Sequence, residues 1–242
     1  MVKKILKFII VALLLLTPAV SYAAISFDAS GGGTQVGSTP PSGSFNITVG
    51  TLSKGVAIVG ITTAVTAASQ MTVTFGGVSM TFFTTIVPAG APSQEQTQYF
   101  YLVNPPSGGV QSVAWTQGAT KAQFVIPFAA TYNGVNQTTP INGIAGSNGF
   151  TASADGSFTG QCTVSGCVDV AIGRGNGSVS TTNGNIRVTT TDFLLDSIGQ
   201  TVTPNVNFTQ NITFPSSGGG LTSGIFLQPP TSLTNMLGAI NF

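Results

Sequence analysis

Asp192 and Asp196 come closest, by type and spacing, to a pair of residues that could do acid–base chemistry. They flank the apolar run Phe193-Leu-Leu195. Glycoside hydrolysis uses two carboxyl groups that face one cleft, usually among aromatic and polar contacts to the sugar. An apolar run between two aspartates is more typical of a loop or of the end of a strand. We therefore expect neither aspartate to be catalytic.

The chain contains no histidine, so the usual base for a serine nucleophile is missing. A Ser–Lys dyad built on Lys54 or Lys121 remains as an option, and we expect Lys54 to lie in a solvated turn before a strand. Calcium is the easiest metal to hold, because turns such as Asp155-Gly156 and Asn183-Gly-Asn185 offer oxygen ligands. These pairs are more often simple turns. We predict a non-enzymatic protein with no catalytic residue, no cofactor and no assigned metal ligand, and the calcium alternative stays open.

Cys162 and Cys167 are the two cysteines of the chain, with four residues between them. In an exported protein such a pair is expected to form a local disulfide. The spacing does not match a redox Cys-x-x-Cys motif, and a zinc site would need two further ligands. Free thiols or a bond between chains are the alternatives.

The first 23 residues have the three parts of a secretory signal peptide. Lys3, Lys4 and Lys7 are the positive region, residues 8–16 are an apolar run, and Ser21-Tyr22-Ala23 offers small residues for cleavage. Nine apolar residues are too few to cross a hydrocarbon core that needs about 20. We predict cleavage after Ala23, no membrane span in the mature chain, and a secreted protein at the cell surface or beyond it.

Charged residues are scarce, at 5% of the chain. Without the three lysines of the leader, four basic residues remain against six acidic ones. This balance offers no basic surface for nucleic acid. It also lacks the surface charge that usually keeps a protein monomeric, so the composition favours self-assembly.

Short runs with β-strand patterns recur along the mature chain. Residues 44–49 alternate apolar and polar side chains, and residues 54–62 are apolar on both faces, as in a buried central strand. Gly76-Gly77 lies between two alternating runs, 71–75 and 78–82, and predicts a two-residue hairpin. We predict an all-β fold for residues 24–230: a two-sheet, jelly-roll-like β-sandwich of about ten short strands.

Loops are expected where glycine, proline and serine cluster, including Gly31-Gly-Gly33 through Pro41 and residues 216–220. After Pro229-Pro230 comes an uncharged tail, residues 231–242. Its apolar residues include four candidate assembly residues: Leu233, Leu237, Ile240 and Phe242. We predict that either this tail or residues 24–36 pack on a neighbouring subunit, the alternative being that both ends fold onto their own domain.

The aromatic residues allow two interpretations. Trp115, Tyr99, Tyr101 and Tyr132 could form a platform on which sugars stack. Trp115, however, lies in a strand whose alternation does not place it clearly outside. A tryptophan in the core of the sandwich is the simpler interpretation.

Several segments in a fixed order carry a resemblance to a known group. They are Phe27-Asp-Ala-Ser30, Phe45-Asn-Ile-Thr-Val-Gly50, Val56-Ala-Ile-Val-Gly60, Val73-Thr-Phe-Gly-Gly-Val78, Tyr101-Leu-Val-Asn-Pro-Pro-Ser-Gly108, Tyr132-Asn-Gly-Val-Asn-Gln-Thr-Thr-Pro140 and Ile225-Phe-Leu-Gln-Pro-Pro230. Together they resemble uncharacterised β-sandwich modules of secreted and surface-displayed bacterial proteins, some of them phage-associated. The resemblance implies a fold and a location and carries no active-site residue. The Cys162–Cys167 segment and the tail depart from it.

These observations lead to one functional hypothesis and one alternative. The hypothesis is a non-enzymatic extracellular structural protein: a subunit of a surface filament, surface layer or similar self-assembling appendage, whose partners are further copies of itself. The alternative is a cell-surface adhesin or carbohydrate-binding module with a surface glycan as its partner.

Overall fold

Alternating strands and turns account for all regular structure in the part of the chain that the structure describes. The structure is a computed structural model, and it describes residues 24–230 except 38–41, 65–69, 92–94, 121, 176 and 190–191. Within these ranges there are eighteen strands and no helix long and apolar enough to cross a membrane. The predicted signal peptide, the tail 231–242 and Lys121 lie outside the described residues.

The N-terminal half of the described chain contains ten strands. They are β1 (Ser26–Gly32), β2 (Val36–Gly37), β3 (Ser42–Val49), β4 (Val56–Thr63), β5 (Thr72–Phe75), β6 (Val78–Ser79), β7 (Thr81–Ile86), β8 (Gln96–Val103), β9 (Gly109–Thr116) and β10 (Phe124–Asn133). The C-terminal half contains β11 (Ile141–Asp155), β12 (Phe158–Gln161), β13 (Val168–Arg174), β14 (Thr181–Thr182), β15 (Asn185–Thr189), β16 (Asp192–Asp196), β17 (Asn207–Gln210) and β18 (Ile212–Leu227).

These strands form four antiparallel sheets, which we name A to D. Sheet A has the order β1-β10-β4-β8-β7, with β2 beside β10, and sheet B has the order β3-β9-β5-β6. Sheet C has the order β11-β18-β13-β16-β15, with β14 beside β18, and sheet D pairs β12 with β17. Sheets A and B come from the N-terminal half, and sheets C and D come from the C-terminal half.

The two halves follow the same path. In sheet A the first strand of the N-terminal half, β1, lies at the edge, beside the last strand of that half, β10. In sheet C the first strand of the C-terminal half, β11, lies at the edge in the same way, beside the last strand, β18. The remaining strands of the two sheets also correspond, β4-β8-β7 to β13-β16-β15. The pair β3-β9 of sheet B likewise corresponds to β12-β17 of sheet D. Consecutive strands change sheets as in a jelly roll. The described chain therefore contains one jelly-roll-like pathway twice.

Three apolar cores hold the sheets in the layer order B, A, C, D. One core lies between sheets A and B and includes Val59, Phe75 and Trp115. A second lies between A and C and includes Ile58 and Ile172, and a third lies between C and D. Because sheet A is covered on both faces, every residue of its central strand β4 is buried, as predicted for the run 54–62.

The predicted all-β sandwich is confirmed, and the described residues contain more strands than the ten or so expected. The additional strands come from regions that glycine, serine or aspartate made look like loops. Gly31 and Gly32 belong to β1, residues 216–220 lie inside β18, and Asp192 to Asp196 is the buried strand β16. The expectation of loops was wrong for Gly31, Gly32 and residues 216–220, whereas Asp192 and Asp196 are the two ends of β16, as the strand-end alternative predicted.

The Gly76-Gly77 hairpin is confirmed. Both glycines have positive φ, 56° and 80°, and Phe75 pairs with Val78 across the turn. The second run does not continue as one strand to residue 82, however. β6 ends at Ser79, and β7 leaves sheet B to pair with β8 in sheet A.

The segment 24–36 lies in its own sandwich. β1 pairs with β10 from Ser26 to Gly32, and Ile25 and Phe27 pack in the core between sheets A and C. The prediction that this segment leaves its own sandwich is therefore wrong. The same idea for the tail 231–242 stays a prediction.

Candidate functional site

Most charged side chains in the described ranges lie inside the fold. Of these residues only Lys54 and Asp155 are exposed. The buried carboxylates are Glu95, Asp169, Asp192 and Asp196. Within the described ranges the charges are thus concentrated between the sheets, and the described surface is almost neutral.

Asp196 is the centre of the first charged group, between sheets A and C. Its two carboxylate oxygens accept hydrogen bonds from Arg187 Nε at 2.7 Å and Arg187 Nη2 at 3.0 Å. Asn185 Nδ2 and the backbone N–H of Ile198 also donate to Oδ1, and the Tyr132 hydroxyl lies 3.3 Å from Oδ2. This carboxylate is fully engaged in holding β15 and β10 to β16.

Arg187 extends the same group to the edge of sheet A. Its guanidinium lies 3.9 Å from the centroid of the Phe27 ring in β1, a favourable cation–π distance. Ser30 of β1 donates a hydrogen bond to the backbone carbonyl of Arg187 at 3.1 Å. Arg187 therefore contacts β1 of the N-terminal half through both its guanidinium and its backbone carbonyl.

A second ion pair lies farther along the same interface. Arg174 Nη1 is 2.5 Å from Glu95 Oε1, and its guanidinium lies 4.7 Å from the Phe124 ring centroid. Burial raises the pKa of Glu95, and the attraction of Arg174 opposes this rise. Asp192 adds a smaller repulsion that raises it further.

A cavity of about 310 Å³ opens beside Asp192. Its other walls are mostly apolar and come from β10 and β15: Ile126, Phe128 and Val188. The segment Gly32–Gln35 closes one side. The cavity has one carboxylate and no second acid–base group, so its lining does not form a catalytic pair.

The predicted pair Asp192 and Asp196 is thus placed on one buried strand but used separately. Asp196 is bound to Arg187, whereas Asp192 lies at the cavity and faces Arg174 across the ladder between β13 and β16. They do not line one cleft as a glycosidase pair would. The sequence did not predict that both aspartates are buried, because the arginines near them, Arg174 and Arg187, belong to other strands.

Asp169 forms a third polar group, between sheets C and D. Burial, and secondarily the charge of Asp196, raises the pKa of Asp169 well above its ordinary value of 3.8. The Gln210 side-chain amide nitrogen donates a hydrogen bond to Asp169 Oδ2 at 3.2 Å. On its other side the Gln210 carbonyl oxygen accepts hydrogen bonds from the Thr182 hydroxyl at 3.0 Å and the Gly184 N–H at 3.1 Å.

The aromatic residues do not form an exposed platform. Trp115 is buried in the core between sheets A and B, as the simpler interpretation predicted. Tyr99 and Tyr132 are fully buried, and Tyr99 donates a 2.6 Å hydrogen bond to the Ser223 carbonyl. Burial raises the pKa of both tyrosines. Tyr101 is half-buried.

The remaining predicted sites behave as structural features. Cys162 and Cys167 form a disulfide. Asp155 accepts a hydrogen bond from the N–H of Ser157 within a turn, and the Asn183 side chain holds residues 209 and 211. No group of three or more potential metal-ligating side chains occurs among the described residues. Lys54 is exposed, as expected, with a φ of 51°.

The surface feature with the clearest capacity to bind is the outer edge of β3. This strand pairs with β9 along all eight of its residues without a register shift. On its other side no strand of the described ranges is hydrogen-bonded to it. Its exposed side chains, Ser42, Ser44, Asn46 and Thr48, are small and uncharged. Such an edge is a template for a further strand.

The edges of sheets A and C differ from β3. The edge strands β1, β7, β11 and β15 each contain a register shift. Bulges of this kind interrupt the ladder and discourage the addition of a strand. The long outer edge of β3 alone among these five lacks that protection.

Comparison with known proteins identifies no family for this chain. No protein-family model matches the chain, and no curated protein matches it significantly.

Proposed function

We propose that the protein is a non-enzymatic extracellular structural protein that assembles with copies of itself into a filament, layer or similar appendage at the cell surface. The observation that carries the proposal is the combination of an almost neutral described surface with the unprotected edge of β3. Two copies can pair their β3 edges through main-chain hydrogen bonds, which extends sheet B from one copy into the next.

Two features of the chain, its disulfide and its leader, support the proposed compartment. A disulfide between Cys162 and Cys167 is typical of an oxidising, non-cytoplasmic environment. Residues 1–23 supply the export signal in this proposal, and the protein acts after that segment is removed. An uncharged, strand-rich module outside the cell is suited to ordered contact with its neighbours.

The neutral surface also determines how assembly should respond to salt. Contacts between charged surfaces weaken as salt screens them, with a Debye length of about 8 Å at physiological ionic strength. A β3 edge without charged side chains has no such contacts to lose. Assembly should therefore persist at high salt.

Negative-stain microscopy of the processed protein, at low and high salt, tests the proposal. Regular polymers or layers under both conditions support it. Dispersed particles that bind immobilised glycans would overturn it in favour of an adhesin.

The predicted role of the tail is tested in the same preparation. A chain that ends at Pro230 lacks residues 231–242 and keeps every described strand. If the shortened protein remains folded but no longer polymerises, the tail is a connector; if it polymerises as before, the β3 edge suffices.

A further inference from the structure

The cavity beside Asp192 has the size and lining of a site for a small organic molecule. Its volume of about 310 Å³ lies at the lower end of the range of small-molecule sites, roughly 300–1,000 Å³. Ile126 and Phe128 of β10 line it from sheet A, and Val188 of β15 lines it from sheet C. Asp192 contributes the one carboxylate among the described lining residues. A compact apolar body with one polar end matches this lining.

The walls of the cavity are held in place by contacts within the fold. The backbone N–H of Gly33 donates a hydrogen bond to the carbonyl oxygen of Pro127 in β10 at 2.9 Å. A Cβ atom added to Gly32 would lie 2.8 Å from Cδ1 of the Phe128 ring, so this segment packs directly on the apolar wall. Asp192 is fixed at the start of the buried strand β16. Because these groups are already ordered, a ligand loses little affinity to their ordering.

The charges around Asp192 determine which polar end the cavity accepts. Asp192 is 7% exposed and Glu95 is 1% exposed, and the charge of Asp192 acts on Glu95 by repulsion. The cation of this group is Arg174, whose Nη1 lies 2.5 Å from Glu95 Oε1 and which pairs with Asp192 in the ladder between β13 and β16. Among the described residues the group thus has two carboxylates and one cation. A positively charged ligand balances it, whereas an anion would add repulsion in a site of low polarity.

We propose that this cavity binds a small organic monocation, an ammonium group on a compact apolar body, with Asp192 as its counter-ion. The ammonium group donates hydrogen bonds to the Asp192 carboxylate, and the apolar body contacts Ile126, Phe128 and Val188. A calcium ion fits this lining less well, because it takes about six to eight oxygen ligands. The inference does not rest on the proposed assembly, since β3 belongs to sheet B and does not line the cavity.

Isothermal titration calorimetry of the processed protein tests the inference with three probes: benzylammonium, cyclohexylammonium and n-butylammonium chloride. At least one of them should bind saturably, with one site per chain. The alcohol with the same carbon skeleton keeps the apolar contacts but lacks the charge. It should bind about tenfold or more weakly, because it forms no charge-assisted hydrogen bond with both partners ionised.

Three variants locate the site. D192N keeps the shape of the side chain without its charge, so it should weaken binding of the ammonium probe by about tenfold or more and remove the preference over the alcohol. V188F places a larger side chain on the cavity wall and should weaken binding of both. D155N is the matched control, because Asp155 is an exposed carboxylate outside the cavity lining, and it should bind like wild type. Thermal unfolding followed by circular dichroism checks that each variant is folded.

The comparison of ammonium probe and alcohol is made on the wild-type chain, so the test does not depend on any variant folding. Failure of all three ammonium probes to bind saturably would overturn the inference. Equal affinities of wild type for the ammonium probe and its alcohol would overturn it as well. A folded D192N variant that binds the ammonium probe as tightly as D155N does would show that the cation binds elsewhere, which also contradicts the inference.

Discussion

Gly60 and Ile172 are in direct contact where the inner sheets of the two halves cross. Gly60 lies in β4 and Ile172 in β13, and a Cβ atom added to Gly60 would come within 2.1 Å of the Ile172 Cδ1 atom. These are corresponding strands of the repeated pathway, so the two halves meet through equivalent elements. Sheets A and C can approach each other this closely because Gly60 has no side chain.

Replacing Gly60 with alanine should lower the free energy of unfolding by about 2 kcal/mol, because the added methyl overpacks a buried contact. Urea unfolding measures the change. G37A is a matched control, since the Cβ there would meet only the Gln123 carbonyl oxygen at 3.8 Å. The variant I172V lacks the Cδ1 atom, so G60A should cost less in the I172V background. Equal costs in both backgrounds would contradict the contact.

Replacing Arg187 with methionine should destabilise the protein by about 3–5 kcal/mol, because Asp196 would remain buried without its cation. K54M removes an exposed cation and should change stability by less than about 0.5 kcal/mol. Chemical denaturation of both variants gives the comparison. Similar small effects in the two would mean that the buried Asp196 carboxylate does not depend on Arg187 for its charge compensation.

The raised pKa of Asp169 makes a prediction about pH. Above the ordinary pKa of 3.8 the unfolded chain releases this proton while the folded chain keeps it. Since the unfolded state then binds fewer protons, the stability contributed by Asp169 falls as pH rises, until pH passes the raised folded pKa. D169N carries no titrating group. The stability of wild type relative to D169N should therefore decrease as the pH rises above about 4, and a constant difference would show that Asp169 ionises normally.

Replacing Gly77 with valine should destabilise the hairpin by about 1–2 kcal/mol, because a β-branched residue is strained at positive φ. No heavy atom lies within 4 Å of the added Cβ position, so the effect isolates the backbone. S79V places the same side chain on the exposed strand β6 as a control. An unchanged melting temperature for G77V would indicate a different turn.

The sequence predicted those elements that have a recognisable local pattern of apolar and polar side chains or of turn residues. β3, β4 and the Gly76-Gly77 hairpin follow from local apolar periodicity and turn chemistry. β16 could not be predicted in this way, since Asp192 and Asp196 are tolerated in a buried strand only because arginines from β13 and β15 approach them. The partners of these aspartates are a tertiary property.

The repeated topology was also invisible in the sequence. β4 is wholly apolar or neutral, whereas its counterpart β13 contains the buried Asp169. The glycine-rich part of β18 is typical of a loop, but at Gly220 an added Cβ would lie 2.3 Å from the Arg174 carbonyl oxygen. Close backbone packing, not flexibility, requires glycine there.

Sedimentation velocity of the processed protein, compared with one pair of lysine variants, tests most directly the claim that the β3 edge mediates assembly. Asn46 on β3 and Ser112 on β9 are both exposed and face each other in the ladder, but only β3 is an edge. A lysine on an edge strand opposes pairing with another chain. We predict large species for wild type and S112K, and monomers for N46K. A monomeric wild type, or an N46K variant that assembles like wild type, would contradict the account.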